Sequence, residues 1–223
     1  MTNFIYKNQD CMEGMKEFPD KFFDLAIVDP PYNVGASDGN FGGKKLAPSK
    51  VGGKINQRSY INHDKTPDKE YFDELFRVSK NQIIWGSNYY PQFLYHSGAV
   101  IWDKKNDNNK VLSDCEIAFQ SFNKLVNIVR IAWCGFWKED EREEYKMRVH
   151  PNQKPVKLYK WLLSKYAKPN DKILDTHVGS GSSIIACLDM SFDVWGFELD
   201  KDYYDASMRR INNFLAQQDL FRT

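Results

Sequence analysis

Lys172-Ile173-Leu174-Asp175-Thr176-His177-Val178-Gly179-Ser180-Gly181 is the stretch on which the reading of the fold turns. An apolar run ends in a carboxylate, a glycine-containing turn follows, residues 183–188 suit a short helix, and 194–197 read as the next strand. Strand, turn, helix and strand in that order make a βαβ unit, whose two strands lie parallel with the helix packed on one face. The second strand closes on Gly196-Phe197-Glu198, with its acid 23 positions beyond Asp175. Glycines in the first turn let the main chain approach a ligand closely, and an acid at the tip of the adjoining strand accepts hydrogen bonds from ribose hydroxyls. The glycines lack the full G-x-G-x-x-G spacing and no Gly-Lys-Ser/Thr phosphate cradle occurs, so a nucleoside without phosphates fits better than a dinucleotide or ATP. Taken alone, Gly-Ser-Gly before a helix is more commonly a plain tight turn; the acid on the next strand is what strengthens the ligand reading.

Toward the N-terminus, the apolar run 25–28 is followed directly by Asp29-Pro30-Pro31-Tyr32. Two prolines carry no N–H donors and hold φ at about −65°, so the chain leaves the strand extended with its carbonyl oxygens free to accept hydrogen bonds. Asp29 adds a charged acceptor and Tyr32 a stacking face. That combination suits chemistry on the exocyclic amine of a planar base. Four residues by themselves are as well read as a strand-ending turn with a packed tyrosine.

Around these two tips the chain alternates β and α signals. A β-type run at 4–6 leads into helical spacing at 11–18 that Pro19 stops, and 25–28 follows as a buried strand. Thr66-Pro67 opens a helix with Pro at its first position and Phe72, Leu75 and Phe76 on one face. Strands are expected at 82–85, followed by the turn Gly86-Ser87-Asn88 and a short aromatic-rich segment, and at 99–102 and 116–119; a helix is expected from Pro155 with Leu158, Trp161, Leu162 and Tyr166 inward, and a closing helix over 202–215. Two segments break the pattern. Residues 33–65 hold seven glycines and prolines and six Lys/Arg against two Asp, a long basic loop. Residues 130–149 pass from aromatics into dense mixed charge, with five acids against four bases over 138–148, and read as a small inserted element. No repeat or low-complexity tract appears.

At 223 residues and 42% apolar, 15% aromatic composition, the chain has ample core for one domain spanning 1–223. A net charge of +1 supplies no global field toward nucleic acid or membrane, so any attraction must come from local clusters. Four scattered cysteines and four scattered histidines show no metal-ligand spacing, so no metal is expected. Reduced thiols, a polar start and the lack of eighteen consecutive apolar residues point to a cytoplasmic protein with no membrane span.

The two motifs together resemble those of the S-adenosylmethionine-dependent amino-methyltransferases of DNA. Their cofactor motif is usually written Asp-Pro-Phe-x-Gly-Ser-Gly and their catalytic motif Asp/Asn/Ser-Pro-Pro-Tyr/Phe/Trp. Here the catalytic motif comes first, and His150-Pro151-Asn152-Gln153-Lys154-Pro155 precedes the cofactor motif, as in the β group. Val100-Ile101-Trp102-Asp103-Lys104 and Cys115-Glu116-Ile117-Ala118-Phe119 are similar to that family's later strands.

The resemblance implies a doubly wound, mostly parallel α/β sheet of seven strands, circularly permuted, with one antiparallel edge strand, in an enzyme of the small, solitary or phage-like type. It implies S-adenosylmethionine as cofactor, with Asp10 and the Cys11 backbone at the adenine and Glu198 at the ribose. Asp175, Gly179 and Gly181 then surround the methionine portion, with Lys154, His177 and Ser180 also among the cofactor-binding residues. Asp10 serves equally well as a helix N-cap.

Asp29 and the Pro30 carbonyl would hold the amine of a base flipped from double-stranded DNA, and Tyr32 would stack on it. The loop residues Asn33, Lys44, Lys45, Lys50, Lys54 and Arg58 would meet phosphates, and residues 130–149 would read the target sequence. Asp at position 29 favours adenine N6; cytosine N4, an RNA acceptor, or a non-catalytic DNA-binding relative are the alternatives. The host compartment would be the cytoplasm of a prokaryotic or phage-infected cell, and monomer or homodimer is left open. Thr176-His177 stands where the family commonly has Pro-Phe, a departure that bears on cofactor affinity because phenylalanine there packs beside the cofactor.

Overall fold

A computed structural model describes residues 3–32, 40–41, 44–45, 66–94, 98–106, 113–134, 137–138, 149–150 and 152–221. In chain order the elements are β1 (Phe4–Asn8), α1 (Cys11–Met15), β2 (Phe23–Val28), β3 (Asn40–Phe41), β4 (Lys44–Lys45), α2 (Lys69–Val78), β5 (Ser79–Trp85), β6 (Gly98–Asp103), β7 (Cys115–Gln120), β8 (Val126–Arg130), β9 (Trp133–Cys134), β10 (Trp137–Lys138), α3 (Val156–Tyr166), β11 (Lys172–Asp175), α4 (Ser182–Asp189), β12 (Asp193–Glu198) and α5 (Lys201–Phe221).

Eight strands form one sheet in the order β1-β12-β11-β2-β5-β7-β6-β8. The first five run parallel, with Ile173 beside Leu25 and Leu174 beside Ala26 where β11 meets β2. Parallel strands buried on both faces read as unbroken apolar runs, and their alternating side chains feed two separate cores. Leu25, Ile27, Ile83, Trp85 and Ile173 pack with α3, α4 and α5. Ala26, Val28, Ile84, Leu174 and Trp195 pack with α1 and α2. The sheet is therefore doubly wound. The first strand in sequence lies outside β12, with Phe4 beside Val194, so the order of elements is a circular permutation of a sheet that would otherwise begin at β11.

Two expectations about the sheet are corrected. It has eight strands rather than seven, because Val126–Arg130 adds beyond β6 in parallel. The antiparallel strand is β7, and it is internal, bonded to β5 on one side and β6 on the other. A strand of reversed direction buried inside the sheet brings its first residues, Cys115 and Glu116, to the edge where its parallel neighbours end. Helix starts also differ slightly. Asp68 caps α2 through Tyr71 N–H at 3.3 Å, so Pro67 lies before the cap, and Pro155 occupies the cap position of α3. Helix α1 stops at Met15, short of Phe18. Among the described residues no helix is long and apolar enough to cross a membrane.

Candidate active site

The sheet's order reverses between β11 and β2: from β11 the chain continues through α4 to β12 on one side, and from β2 through α2 to β5 on the other. Ligands of open α/β sheets bind in the crevice beyond the carboxyl ends of the strands at such a reversal. The tips of β1, β12, β11, β2 and β5, and the start of β7, all lie on this edge. They carry Asp10, Glu198, Asp175, Asp29, Gly86 and Glu116.

On the β11–β12 side, Asp175 is buried. Its Oδ1 accepts from His177 N–H at 3.0 Å and its Oδ2 from the Ser183 hydroxyl. Burial pushes its carboxyl up to about 7, against the pull of those two donors. Gly179 (φ +53°) and Gly181 (φ +79°) occupy left-handed backbone that glycine enters at no steric cost, and Gly181 leads into α4. A Cβ at Gly196 would lie 2.7 Å from Val178, so the strand beside the turn admits only glycine without a shift. Glu198 receives Gly179 N–H at 2.8 Å and Asp200 N–H at 2.9 Å, and burial raises its carboxyl. Arg210, buried on α5, donates to the Ser180 carbonyl and the Ser182 hydroxyl, each at 2.8 Å, and so clamps the glycine turn from beneath. His150 lies over Gly179, its ring 4.4 Å from that of Tyr203.

Asp10 accepts from Met12 N–H at 2.7 Å as the N-cap of α1, with its exposed tip at the same edge as Glu198. Cys11 is half-buried, and burial with the neighbouring Asp10 pushes its thiol up to about 12. The Thr176-His177 departure has a local partner. The Thr176 hydroxyl bonds to Tyr71 Oη at 2.7 Å and to His177 Nδ1 at 2.9 Å, and the imidazole packs edge-on to Tyr71 at 5.5 Å. Burial lowers His177 to about 4, so at neutral pH an uncharged ring fills this place.

On the β2–β5 side, Asp29 Oδ2 is held by the Lys154 ammonium, which also faces Glu116 Oε2 at 3.1 Å; Lys104 meets the other Glu116 oxygen at 2.7 Å. Lys154 is 3% exposed and stands 5.6 Å over the Trp85 ring. Burial by itself would lower Lys154, but Asp29 and Glu116 outweigh it and hold the ammonium well above the ordinary lysine range. Burial raises the Asp29 carboxyl, opposed by Lys154. Glu116 resists burial and is lowered by its two lysines. Asp29 Oδ1 is shielded from solvent and accepts no hydrogen bond from the described residues. Leaving a buried acceptor unmade costs about 1–3 kcal/mol, which a donor arriving with a ligand would recover.

The Pro30 carbonyl, expected to be free, accepts from Tyr90 Oη at 3.1 Å, and Pro31 accepts from the same hydroxyl at 2.6 Å. A carbonyl has two lone pairs, so Pro30 keeps one for a ligand. Tyr32 stacks on Tyr89 with centroids 4.4 Å apart and planes 9° from parallel. Gly86 (φ +69°) is what admits the Tyr32 ring: a Cβ there would sit 2.6 Å from it.

The two sequence motifs thus meet on neighbouring strand tips. Lys154, expected among the cofactor-binding residues, reaches Asp29 across 125 positions of sequence. Tyr71, Tyr89, Tyr90 and Arg210 were not singled out, and Glu116 entered only as part of a family-like strand; Tyr89 and Tyr90 follow the Gly86-Ser87-Asn88 turn at a strand tip, while Tyr71 and Arg210 carried no signal. Asn33, Lys50, Lys54 and Arg58 lie outside the described residues, as does most of 130–149, and at Lys44 and Lys45 only the backbone is described.

A glycine turn, a strand-tip acid and an Asp-Pro-Pro-Tyr turn thus share one edge of a doubly wound sheet. The DNA methylase family model matches residues 44–209, and the chain belongs to that family of S-adenosylmethionine-dependent DNA amino-methyltransferases. The match begins downstream of Asp29. The chain is 25% identical over 231 aligned residues to YubD of Escherichia coli (strain K12), covering 95% of this chain and 90% of YubD. It is 21% identical to the type II methyltransferase M.HpaI of Haemophilus parainfluenzae, over 92% of this chain and 73% of that protein. In fold it is similar to the cytosine-N4-specific PvuII DNA methyltransferase (TM-score 0.61, 14% identity, 96% and 92% of the two chains) and to the M1.HpyAVI–SAM complex (TM-score 0.56, 16% identity, 92% and 98%).

S-adenosylmethionine is the cofactor of this class. The residues present fit it: two positive-φ glycines leave the main chain bare at the turn, and a carboxylate stands at each flanking tip.

Proposed function

We propose that this DNA amino-methyltransferase methylates the exocyclic N6 of adenine in double-stranded DNA, acting on a base flipped out of the stack. The observation that carries the reading is the buried Asp29 Oδ1, unpartnered among the described residues, at the tip of β2 beside the glycine turn at the tip of β11. When bound, S-adenosylmethionine supplies an activated methyl group on a sulfonium. The chain's own task is positional. An aromatic amine shares its lone pair with its ring, so Asp29 Oδ1 and the remaining lone pair of the Pro30 carbonyl accept its two N–H bonds and turn the lone pair toward the donor. As the nitrogen takes the methyl group it would become cationic, the carbon–sulfur bond breaking to leave a neutral thioether, and Asp29 Oδ1 is placed to take the proton the nitrogen then releases.

Asp10 and the Cys11 backbone are assigned to the cofactor adenine, Glu198 to the ribose, and Asp175, His177, Gly179, Ser180 and Gly181 to the methionine portion. Tyr32 is assigned to stacking on the flipped base. Tyr89 now covers one face of that ring, so the base takes either the other face or Tyr89's place. The basic segment 33–65 is assigned to phosphates and 130–149 to target readout, within one domain.

Unmethylated duplex DNA incubated with S-adenosylmethionine and the protein, then digested to nucleosides and resolved by mass spectrometry, should yield N6-methyladenine. N4-methylcytosine instead would overturn the base assignment and leave the site intact; neither product would overturn the reading.

A further inference from the structure

Four side chains of alternating charge run from the candidate catalytic turn toward the start of β7: Asp29, Lys154, Glu116 and Lys104. They come from four separate places in the chain, the tip of β2, the residue before the Pro155 cap, the first turn of β7 and the end of β6. The strand order alone brings them together, because antiparallel β7 begins where its neighbours end. The indole faces of Trp85 and Trp102 flank the two ammonium groups at 5.6 Å and 5.3 Å. A buried lysine between two carboxylates is retained at substantial desolvation cost, which a purely structural site meets more simply with apolar packing. The asymmetry at Asp29 is the informative feature. One carboxylate oxygen is tied to Lys154 and the other has no hydrogen-bond partner among the described residues.

We infer that Lys154 is a positioning residue for the methyl-transfer reaction, holding Asp29 by Oδ2 so that Oδ1 alone faces the acceptor amine, with Glu116 and Lys104 fixing Lys154 in turn. The inference rests on the proposed function, in which Asp29 accepts the amine. Gripping one oxygen fixes the carboxylate plane, and the adjacent ammonium favours the charged form in a site whose burial disfavours it. Glu116 acts in the opposite sense on Asp29, as a like charge one step further away. Among the described residues the other ionisable groups facing Asp29 are Lys104, Asp175, Tyr32, Tyr90 and Tyr159. They are common to every variant below, so differences between variants report the lysine and the glutamate.

The test compares single-turnover methyl transfer to duplex DNA across pH, and calorimetric S-adenosylmethionine binding, for the wild-type chain, Lys154→Met, Lys154→Arg and Glu116→Gln. The wild-type must first form a methylated base; if it forms none, the parent reading fails independently of this inference. With turnover in hand, Lys154→Met should lose roughly tenfold or more of its rate at neutral pH, its acid limb should move to higher pH, and cofactor affinity should change by less than about threefold. Lys154→Arg should restore part of the rate. Glu116→Gln should move the acid limb the other way, to lower pH, which keeps the inference testable even if Lys154→Met fails to fold. An acid limb unmoved in Lys154→Met, a shift of the same sign in both variants, or a loss of cofactor affinity equal to the loss of rate would overturn it.

Discussion

A carboxylate that accepts two hydrogen bonds is ordinarily pulled below the usual range, yet burial drives Asp175 the other way, to about 7. The sign for stability follows. A folded-state value above the unfolded one means that Asp175 contributes most below the ordinary carboxylate range and that the contribution is lost as pH rises through about 7. Asn at this position keeps an acceptor for His177 N–H and a partner for Ser183 without the charge. Asp175→Asn should therefore raise Tm more at about pH 8 than at about pH 5, by on the order of 2 kcal/mol between the two conditions. Thermal melts of the cofactor-free protein at both pH values check this, and an equal shift at both would contradict it. Single residues of this kind were legible in the sequence when a strand tip announced them, as for Asp175, Glu198 and Asp29. Lys154 was legible as part of a motif but its partner was not, since nothing local links it to a carboxylate 125 positions earlier.

Gly86 shows the same division among the elements. The turn after β5 was readable as Gly86-Ser87-Asn88, but the ring packed on it belongs to the far side of the basic loop. Gly86→Ala combines a left-handed φ of +69° with a Cβ 2.6 Å from Tyr32. It should cost about 1–3 kcal/mol of stability and displace the Tyr32–Tyr89 stack. Chemical denaturation together with turnover should show both losses, and a variant with unchanged stability and turnover would contradict the geometry. Central strands such as β2, β11 and β12 were legible because burial on both faces makes them continuously apolar. Strand β8 was not, because Val126 is 64% and Ile128 45% exposed, so its alternation does not separate a core face from solvent. The internal place of β7 was hidden for another reason: a strand's run of residues fixes its faces, whereas its neighbours and direction are set by long-range pairing. Thr176-His177 was legible as a departure from the family's common Pro-Phe, but its hydroxyl link to Tyr71 was not, because it spans 105 positions.

Across the whole molecule, the permuted chain order leaves the spatial order of tips intact. β1 lies outside β12 and leads to Asp10; the proposed function places the cofactor against β11 and β12 and the acceptor against β2 and β5. Because β11 and β2 are adjacent and parallel, the glycine turn and the Asp-Pro-Pro-Tyr turn leave the sheet at the same edge, so that in the proposed function methyl donor and acceptor amine share one crevice. The division of labour between the two tips is the central claim, and it separates binding from transfer. The most direct measurement is methyl transfer from labelled S-adenosylmethionine to duplex DNA by Asp29→Ala, made alongside calorimetric titration of the same variant with the cofactor. Transfer should fall to background while cofactor affinity stays within about threefold of the wild-type chain. Undiminished transfer, or a loss of cofactor binding as large as the loss of transfer, would contradict the account.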